Sequence, residues 1–349
     1  MVILGIDAHK RTHTVVAIDE AGRELGVRTT NATTTEAHLD LVRWSERFGP
    51  DRRFAVEDCR HLSRRLEADL LAAGEVIVRV PPKLMAHARD SARTYGKSDP
   101  IDALAVARAA LREPNLPVAR LDGPARELRL LVDHREDLVR DRAAHINRLR
   151  WHLHELDPSW DPAPRVLVRF KHLDAVAARL EGLDGMVAWI SRDLVARIRE
   201  LTEKANALER QIIERVTTMT PRLLVLAGVG GLTAAKIVAE TADIRRFRSK
   251  DAFARHNGTA PLPVWSSNRI RHRLSRTGNR QLNAAIHRMA VTQMRIHPDA
   301  KIYLERRMAL GNSKSEALRA LKRKLSDVVY RTLLVDAVTQ MAAIVTEAA

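Results

Sequence analysis

Cysteine is almost absent from this chain: Cys59 is the only one in 349 residues. A single thiol cannot build a disulfide framework within the chain, which fits a reducing cytoplasm. Long apolar runs are missing too, and no stretch approaches the ~20 residues a membrane span needs, so no membrane partner is expected. The opening MVILGIDAHK has a short apolar run that ends in an acid, unlike a secretory signal. Internal repeats and low-complexity tracts are also lacking.

What is present is a folded-protein composition, 45% hydrophobic and 29% charged, long enough for two or three domains. The net charge is +16 and very uneven. Residues 245–331 hold 21 Lys+Arg against 5 Asp+Glu, which accounts for the whole excess. A localised basic block points to a polyanion partner, above all nucleic acid.

The first 118 residues alternate strand and helix signals. VILGID (2–7), HTVVAIDE (13–20) and ELGVRTTN (24–31) read as three strands in series. RFAVED (53–58) and EVIVRVPP (75–82) are further strands, separated by the amphipathic helix HLSRRLEADLLAAG. This order predicts an α/β domain of the ribonuclease-H type over 1–118. Residues 119–218 change character. Leu128, Leu131, Val132, Leu138, Val139, Ile146, Leu149, Leu153 and Leu156 trace one helical face, and a later helix repeats near-heptad spacing from Ile190 to Ile212. That pattern predicts a helical coiled-coil arm, paired either within the chain or between subunits, and used for assembly. Residues 219–349 form a helical, basic C-terminal domain. Its start, PRLLVLAGVGGLTAAKIVAETADI, reads as a helix-hairpin-helix in which Gly228 and Gly230 let backbone approach a phosphate.

The segment GKSDPIDALAVARAA places Asp99 and Asp102 three residues apart at a helix start. Asp99 as N-cap, Pro100 at the first helical position and Asp102 near the positive end of the helix dipole is one account. The other is a metal site, because residues at i and i+3 share a helix face. Asp7 ends the first strand and Glu57 a later one, and in a ribonuclease-H-type sheet those ends are neighbours. Strand alternation lets Glu57 face the site while Asp58 begins the turn. Four carboxylates that converge repel one another unless cations neutralise them. Their hard oxygens suit two Mg²⁺, or Mn²⁺, which can activate an attacking oxygen and stabilise a leaving one at phosphorus. His9 and His61 read as loop or surface residues.

GIDAHK, AVEDC and KSDPIDALAVARAA resemble, in order, the three catalytic blocks of the DEDD transposases of the IS one-ten type, whose first domain is RuvC-like. HNGTAPLPVWSSNRIRHRLSRTGNRQLNAAIHRMA resembles the second conserved domain of that family. The resemblance implies Asp7, Glu57, Asp99 and Asp102 as metal ligands and a serine that attacks DNA to form a covalent phosphoserine. Ser266 falls on that serine position and Ser267 stands where the family pattern has glycine, so Ser266 is preferred and Ser267 is its alternative. Two loop serines bonded to backbone are the bland reading of the same residues. The resemblance also implies a structured non-coding guide RNA that bridges donor and target DNA. Strand exchange needs several active sites, so an oligomer is expected, a tetramer built from dimers, in the bacterial cytoplasm at the nucleoid. Arg269, Arg271, Arg273, Arg276 and Arg280 suit phosphate contacts on DNA or RNA. Arg319, Lys322, Arg323 and Lys324 form a second cluster that reads equally as a solvated face. Two rival functions remain: a metal-dependent junction resolvase that uses water, and a non-catalytic binder, whose signature would be a missing carboxylate.

Overall fold

A computed structural model of the chain describes residues 1–58, 60–82, 84–85, 98–113, 115–120, 123–163, 165–266, 269–273 and 278–347. They form two compact units, Met1–Leu121 and Asp122–Ala349.

The first unit has a five-stranded mixed sheet. Its strands are β1 (Val2–Ala8), β2 (Thr12–Ile18), β3 (Glu24–Asn31), β4 (Arg52–Glu57) and β5 (Ile77–Val80), in the order β3-β2-β1-β4-β5. β2 runs antiparallel to β1 and β3, whereas β4 runs parallel to β1 and β5 parallel to β4. β1 is central and buried on both faces, which is why it reads as one apolar run. Helices α1 (Thr35–Glu46) and α2 (Arg60–Ala72) share a core with Leu4, Ile6, Val15, Phe54 and Val56. Helix α3 (Asp99–Arg112) packs its alanines on the other face, against Ile3, Val16, Ile18 and Ala55. The α/β arrangement expected of the N-terminal domain is therefore present.

Two local features decide where α3 sits. Its N-cap is Ser98, so Asp99 begins the helix rather than capping it, a correction to the capping account. Gly5, in the middle of β1, has no side chain to keep the helix away. A Cβ there would overlap the Ala103 carbonyl oxygen and the Ala107 amide nitrogen and lie 2.6 Å from the Ala107 Cβ.

The second unit is helical apart from one hairpin. Helices α4 (Gly123–Leu156) and α6 (Met186–Met219) are each 34 residues, or about 50 Å long at 1.5 Å per residue. They pair within the chain and run antiparallel: Glu127 meets Arg215 at 3.1 Å, Arg135 meets Glu209 at 2.6 Å, and Arg142 reaches Thr202 at 3.3 Å. One end of the pair encloses a core with α5 (Phe170–Glu181), built from Leu149, Leu153, Leu173, Leu194 and Ile198. The other end, through Leu128, Val132, Ile212 and Val216, shares a core with the helices that follow.

That following part comprises α7 (Pro221–Leu224), α8 (Gly231–Thr241), α9 (Lys250–His256), the β6 (Leu262–Ser266) and β7 (Arg269–Arg273) hairpin, α10 (Arg280–Ile296), α11 (Pro298–Ala309) and α12 (Lys314–Glu347). The helix expected before the glycine turn is a single turn, α7. Lys236 of α8 is buried and ties that helix to α4 through Glu136 at 2.8 Å and Asp133 at 3.4 Å. No helix of the described residues is long and apolar enough to cross a membrane.

The approach of α3 to β1 leaves no room at Gly5. Gly5→Ala is expected to cost about 1–3 kcal/mol or more, as overpacking of a closed core does. A chemical denaturation midpoint within error of wild type would show that the helix can move aside.

Candidate active site

Strand alternation puts Gly5 and Asp7 on the α3 face of β1, and Ala55 and Glu57 on the same face of the adjacent parallel strand. Ile6 pairs with Val56, so Asp7 and Glu57 end neighbouring strands at one edge of the sheet. Asp102 directly precedes Ala103, whose carbonyl is held against Gly5. The close packing at Gly5 thus carries the first turn of α3, with Asp99 and Asp102, to the end of β1. Asp58 lies beyond the strand, where its amide donates to the Val80 carbonyl at 2.9 Å and its side chain is exposed.

The electrostatics show how close these groups are. Asp7 is 9% exposed, and its carboxyl pKa is pushed up to about 6. Burial is the main cause; His9 opposes it, and the charges of Asp102, Asp99 and Glu57 add to it. Asp7 Oδ2 is buried without a hydrogen-bond partner. Ligand atoms of Asp7, His9 and Asp99 lie within 4.8 Å of one another. His9, expected from the sequence to be a loop or surface residue, is half exposed but presents Nδ1 3.5 Å from Asp7 Oδ2 and 4.0 Å from Asp99 Oδ2. Its signal in the sequence is alternation, because His9 lies two positions after Asp7.

A divalent cation fits this donor set. Buried carboxylate oxygens without a donor, at the focus of several acids, are what a hard cation satisfies. Asp7, Asp99 and His9 offer the grouped ligand atoms, whereas Asp102 and Glu57 act on Asp7 through their charges.

In the second unit, Ser266 ends β6 opposite Arg269, the first residue of β7, and Arg271 and Arg273 take alternate positions along that strand. Ser267 and Arg276 lie outside the described residues. Arg280 opens α10 and is exposed. Gly228 has φ +80°, and a Cβ there would meet the Met289 carbonyl oxygen at 2.9 Å. Gly230 is the N-cap of α8, with open space where a side chain would be. Beside it, a groove of about 600 Å³ is lined by Gly228, Gly230, Thr233, His287 and Arg288. The last two carry no signal in the sequence because they lie over 50 positions from the glycines and meet them only when α10 packs on α8. The late cationic cluster is not a plain solvated face: Lys322 is 7% exposed and donates to Asn283, and Arg323 pairs with Asp251 and Asp327.

The raised Asp7 pKa has a direct consequence. A carboxyl whose folded-state pKa lies above its ordinary value of 3.8 favours the folded state fully below pH 4 and loses that contribution as pH rises through about 6. Metal-free protein is therefore expected to lose stability between pH 4 and 6 from this group. Asp7→Asn should remove that loss and melt higher than wild type at pH 7.5 without metal. Mg²⁺ should raise the melting temperature of wild type but not of the variant. An equal Mg²⁺ response in both proteins would exclude Asp7 as a ligand.

Comparison with known proteins gives the same family for both units. Residues 4–158 match a DEDD transposase family model described as "Transposase", and residues 220–305 match the "Transposase IS116/IS110/IS902 family". An insertion element IS116 protein of Streptomyces clavuligerus is 28% identical over 95% of this chain and 94% of its own. An insertion element IS900 protein of Mycobacterium paratuberculosis is 27% identical over 94% of each. Among solved structures, Thermus thermophilus RuvC in complex with a Holliday junction substrate aligns with 34% of this chain and 99% of its own, at 16% identity and a TM-score of 0.27. With the two family matches together spanning well over half its length, the chain belongs to the IS110 family of DEDD transposases.

Proposed function

We propose that this transposase cuts and rejoins DNA through a covalent phosphoserine at Ser266, assisted by two Mg²⁺ held by Asp7, Glu57, Asp99 and Asp102. The observation that carries the metal part is the buried Asp7 Oδ2, which has no hydrogen-bond partner and is grouped with ligand atoms of His9 and Asp99. Bound there, the cations supply charge neutralisation and polarise the oxygens of a scissile phosphate. Asp7 and Asp102, each 9% exposed, would form the buried side of the centre, and Asp99 comes in on the same helix as Asp102. His9 Nδ1, beside Asp7 and Asp99 and half exposed, could contact a phosphate or join them as a ligand.

The serine step balances as follows. Ser266 Oγ forms a bond to phosphorus and gives up its proton; the P–O3′ bond breaks, and the leaving 3′-oxygen takes a proton. One phosphoester replaces another, so no external energy source is needed. A 3′-hydroxyl of the partner strand then attacks the same phosphorus and releases Ser266 with its proton restored. Exchange of strands calls for several such sites, which supports a tetramer built from dimers.

Partner recognition follows from charge. The basic excess lies wholly within the second unit, around the β6–β7 hairpin and the helices after it. Gly230, at the open N-terminus of α8, and exposed Arg288 border one groove and suit a nucleic-acid phosphate. The partners in this reading are donor and target DNA and a structured non-coding RNA that bridges them.

The serine is tested by trapping. Wild-type protein with nicked DNA carrying the element's ends and Mg²⁺ is expected to form an adduct at residue 266. Ser266→Ala should abolish adduct and cleavage while keeping the fold and DNA binding, and Ser267→Ala should retain the adduct. Normal cleavage by Ser266→Ala, with no adduct in wild type, would instead make the enzyme a metal-dependent resolvase using water. The arginines are tested by salt. Replacing Arg271 and Arg273 with Ala should lower the slope of log affinity against log salt on duplex DNA by about 0.9 for each phosphate that is no longer neutralised. An unchanged slope would remove both from the interface.

A further inference from the structure

The β6–β7 hairpin is a two-stranded sheet of its own. A lone hairpin is marginal in stability, so its aim depends on what holds its stems. Those stems are residues 256–259, before β6, and 278–283, after β7. They meet backbone to backbone. A Cβ on Gly278 would overlap the Gly258 amide nitrogen, 2.5 Å from Gly258 Cα and 2.9 Å from the Asn257 carbonyl carbon. The Asn279 amide donates to the His256 carbonyl at 2.6 Å, and Asn283 Nδ2 donates to the Asn257 carbonyl at 2.7 Å.

Buried polar groups then tie both stems to the helices. Asn279 Nδ2 donates to Glu240 Oε2 of α8 at 2.7 Å, while its Oδ1 caps α10 by accepting from the Leu282 amide at 2.9 Å. Asn257 Nδ2 donates to Ser326 Oγ of α12 at 2.8 Å, and Lys322 Nζ donates to Asn283 Oδ1 at 2.6 Å. Asn257 and Ser326 are wholly buried, and Glu240 is 4% exposed. Apolar side chains of similar volume would stabilise a helical core at least as well as buried charges. What a hydrogen-bonded network adds is a single geometry.

We propose that Asn257, Gly258, Gly278, Asn279 and Glu240 form a clamp that fixes the exit angle of the hairpin. They are positioning residues for the nucleophile at its end, an assignment that rests on the Ser266 reading. A five-residue strand is a lever of about 17 Å, so a small rotation at the stem moves its far end by ångströms. Misplacement by 1 Å can cost about 10²-fold in rate.

Placing a like charge across one clamp bond tests this in the full-length protein. Asn279→Asp keeps the α10 cap, since aspartate caps as well as asparagine, but sets a carboxylate against Glu240. Adding Glu240→Gln restores a donor–acceptor pair with the roles exchanged. Two readouts are taken: hydrogen exchange of the 262–266 and 269–273 amides, and the rate of adduct formation on a plasmid carrying the element's ends with Mg²⁺. Asn279→Asp is expected to speed hairpin exchange and to slow the adduct tenfold or more, with the α4 and α6 amides unchanged. The double variant should recover both. If the single variant does not fold, Ser326→Ala, which removes the acceptor for Asn257, is read in the same way. A variant that melts lower yet keeps wild-type hairpin exchange and adduct rate would reduce the network to a stabilising one and overturn the clamp. If wild type forms no adduct, the Ser266 reading fails by itself. Hairpin exchange then still decides the clamp: faster in Asn279→Asp and rescued by Glu240→Gln supports it, and unmoved overturns it.

Discussion

Helix α3 touches the backbone of the central strand, and the candidate site hangs from that contact. A strand position with any side chain would hold the helix off by the width of a methyl group. Gly5 removes the obstacle, so the Ala103 carbonyl and the Ala107 amide close on β1. Asp7, two residues along the same face, and Asp102, next to Ala103, are then neighbours by geometry. The parallel pairing of β4 adds Glu57 from the adjoining strand end. Small residues recur through α3 for the same reason, with Ala103, Ala105, Val106, Ala107, Ala109 and Ala110 all buried against the sheet.

That arrangement carries an electrostatic cost. Burial of Asp7, with the charges of Asp102, Asp99 and Glu57 added, opposes its ionisation and pushes its pKa up to about 6. The rest of the unit offsets the cost with a central strand buried from end to end. A cation bound there would lower that cost, and folding and metal affinity would then be linked quantities. Ser98, not Asp99, serves as the N-cap, which leaves the Asp99 carboxylate to the cluster.

The second unit uses the same device at another place. Gly278 meets Gly258 as Gly5 meets α3: backbone against backbone, where a side chain on Gly278 would separate them. Around the first contact lie apolar residues; around the second lie amides, a carboxylate and a hydroxyl. The difference follows from the task. Alanines let a helix lie flat on a sheet, whereas directional hydrogen bonds set the angle of a hairpin that has no third strand.

The order of strands and helices in the first unit was legible because each element has a clear period: β1 an unbroken apolar run, α3 an alanine-rich turn repeat. The places of Asp7, Glu57, Asp99 and Asp102 near element ends were legible, and the basic block from charge alone. His9 was not, because its partners, Asp7 and Asp99, are brought to it by the sheet edge and by a helix 90 positions away. The same holds for Arg288, which joins the glycine turn only through helix packing. Lys322 has the sequence surroundings of a solvated lysine, yet its pairing with Asn283 buries it. Spacing within a helix fixes which residues share a face, but not which face another element covers. The sequence by itself determined the elements, their order and the charge each carries. Tertiary structure alone decided which glycine admits a helix, which carboxyls are buried, and which asparagines tie the hairpin stems together. Those outcomes depend on close approaches between distant segments, and such approaches exist only once the chain has packed.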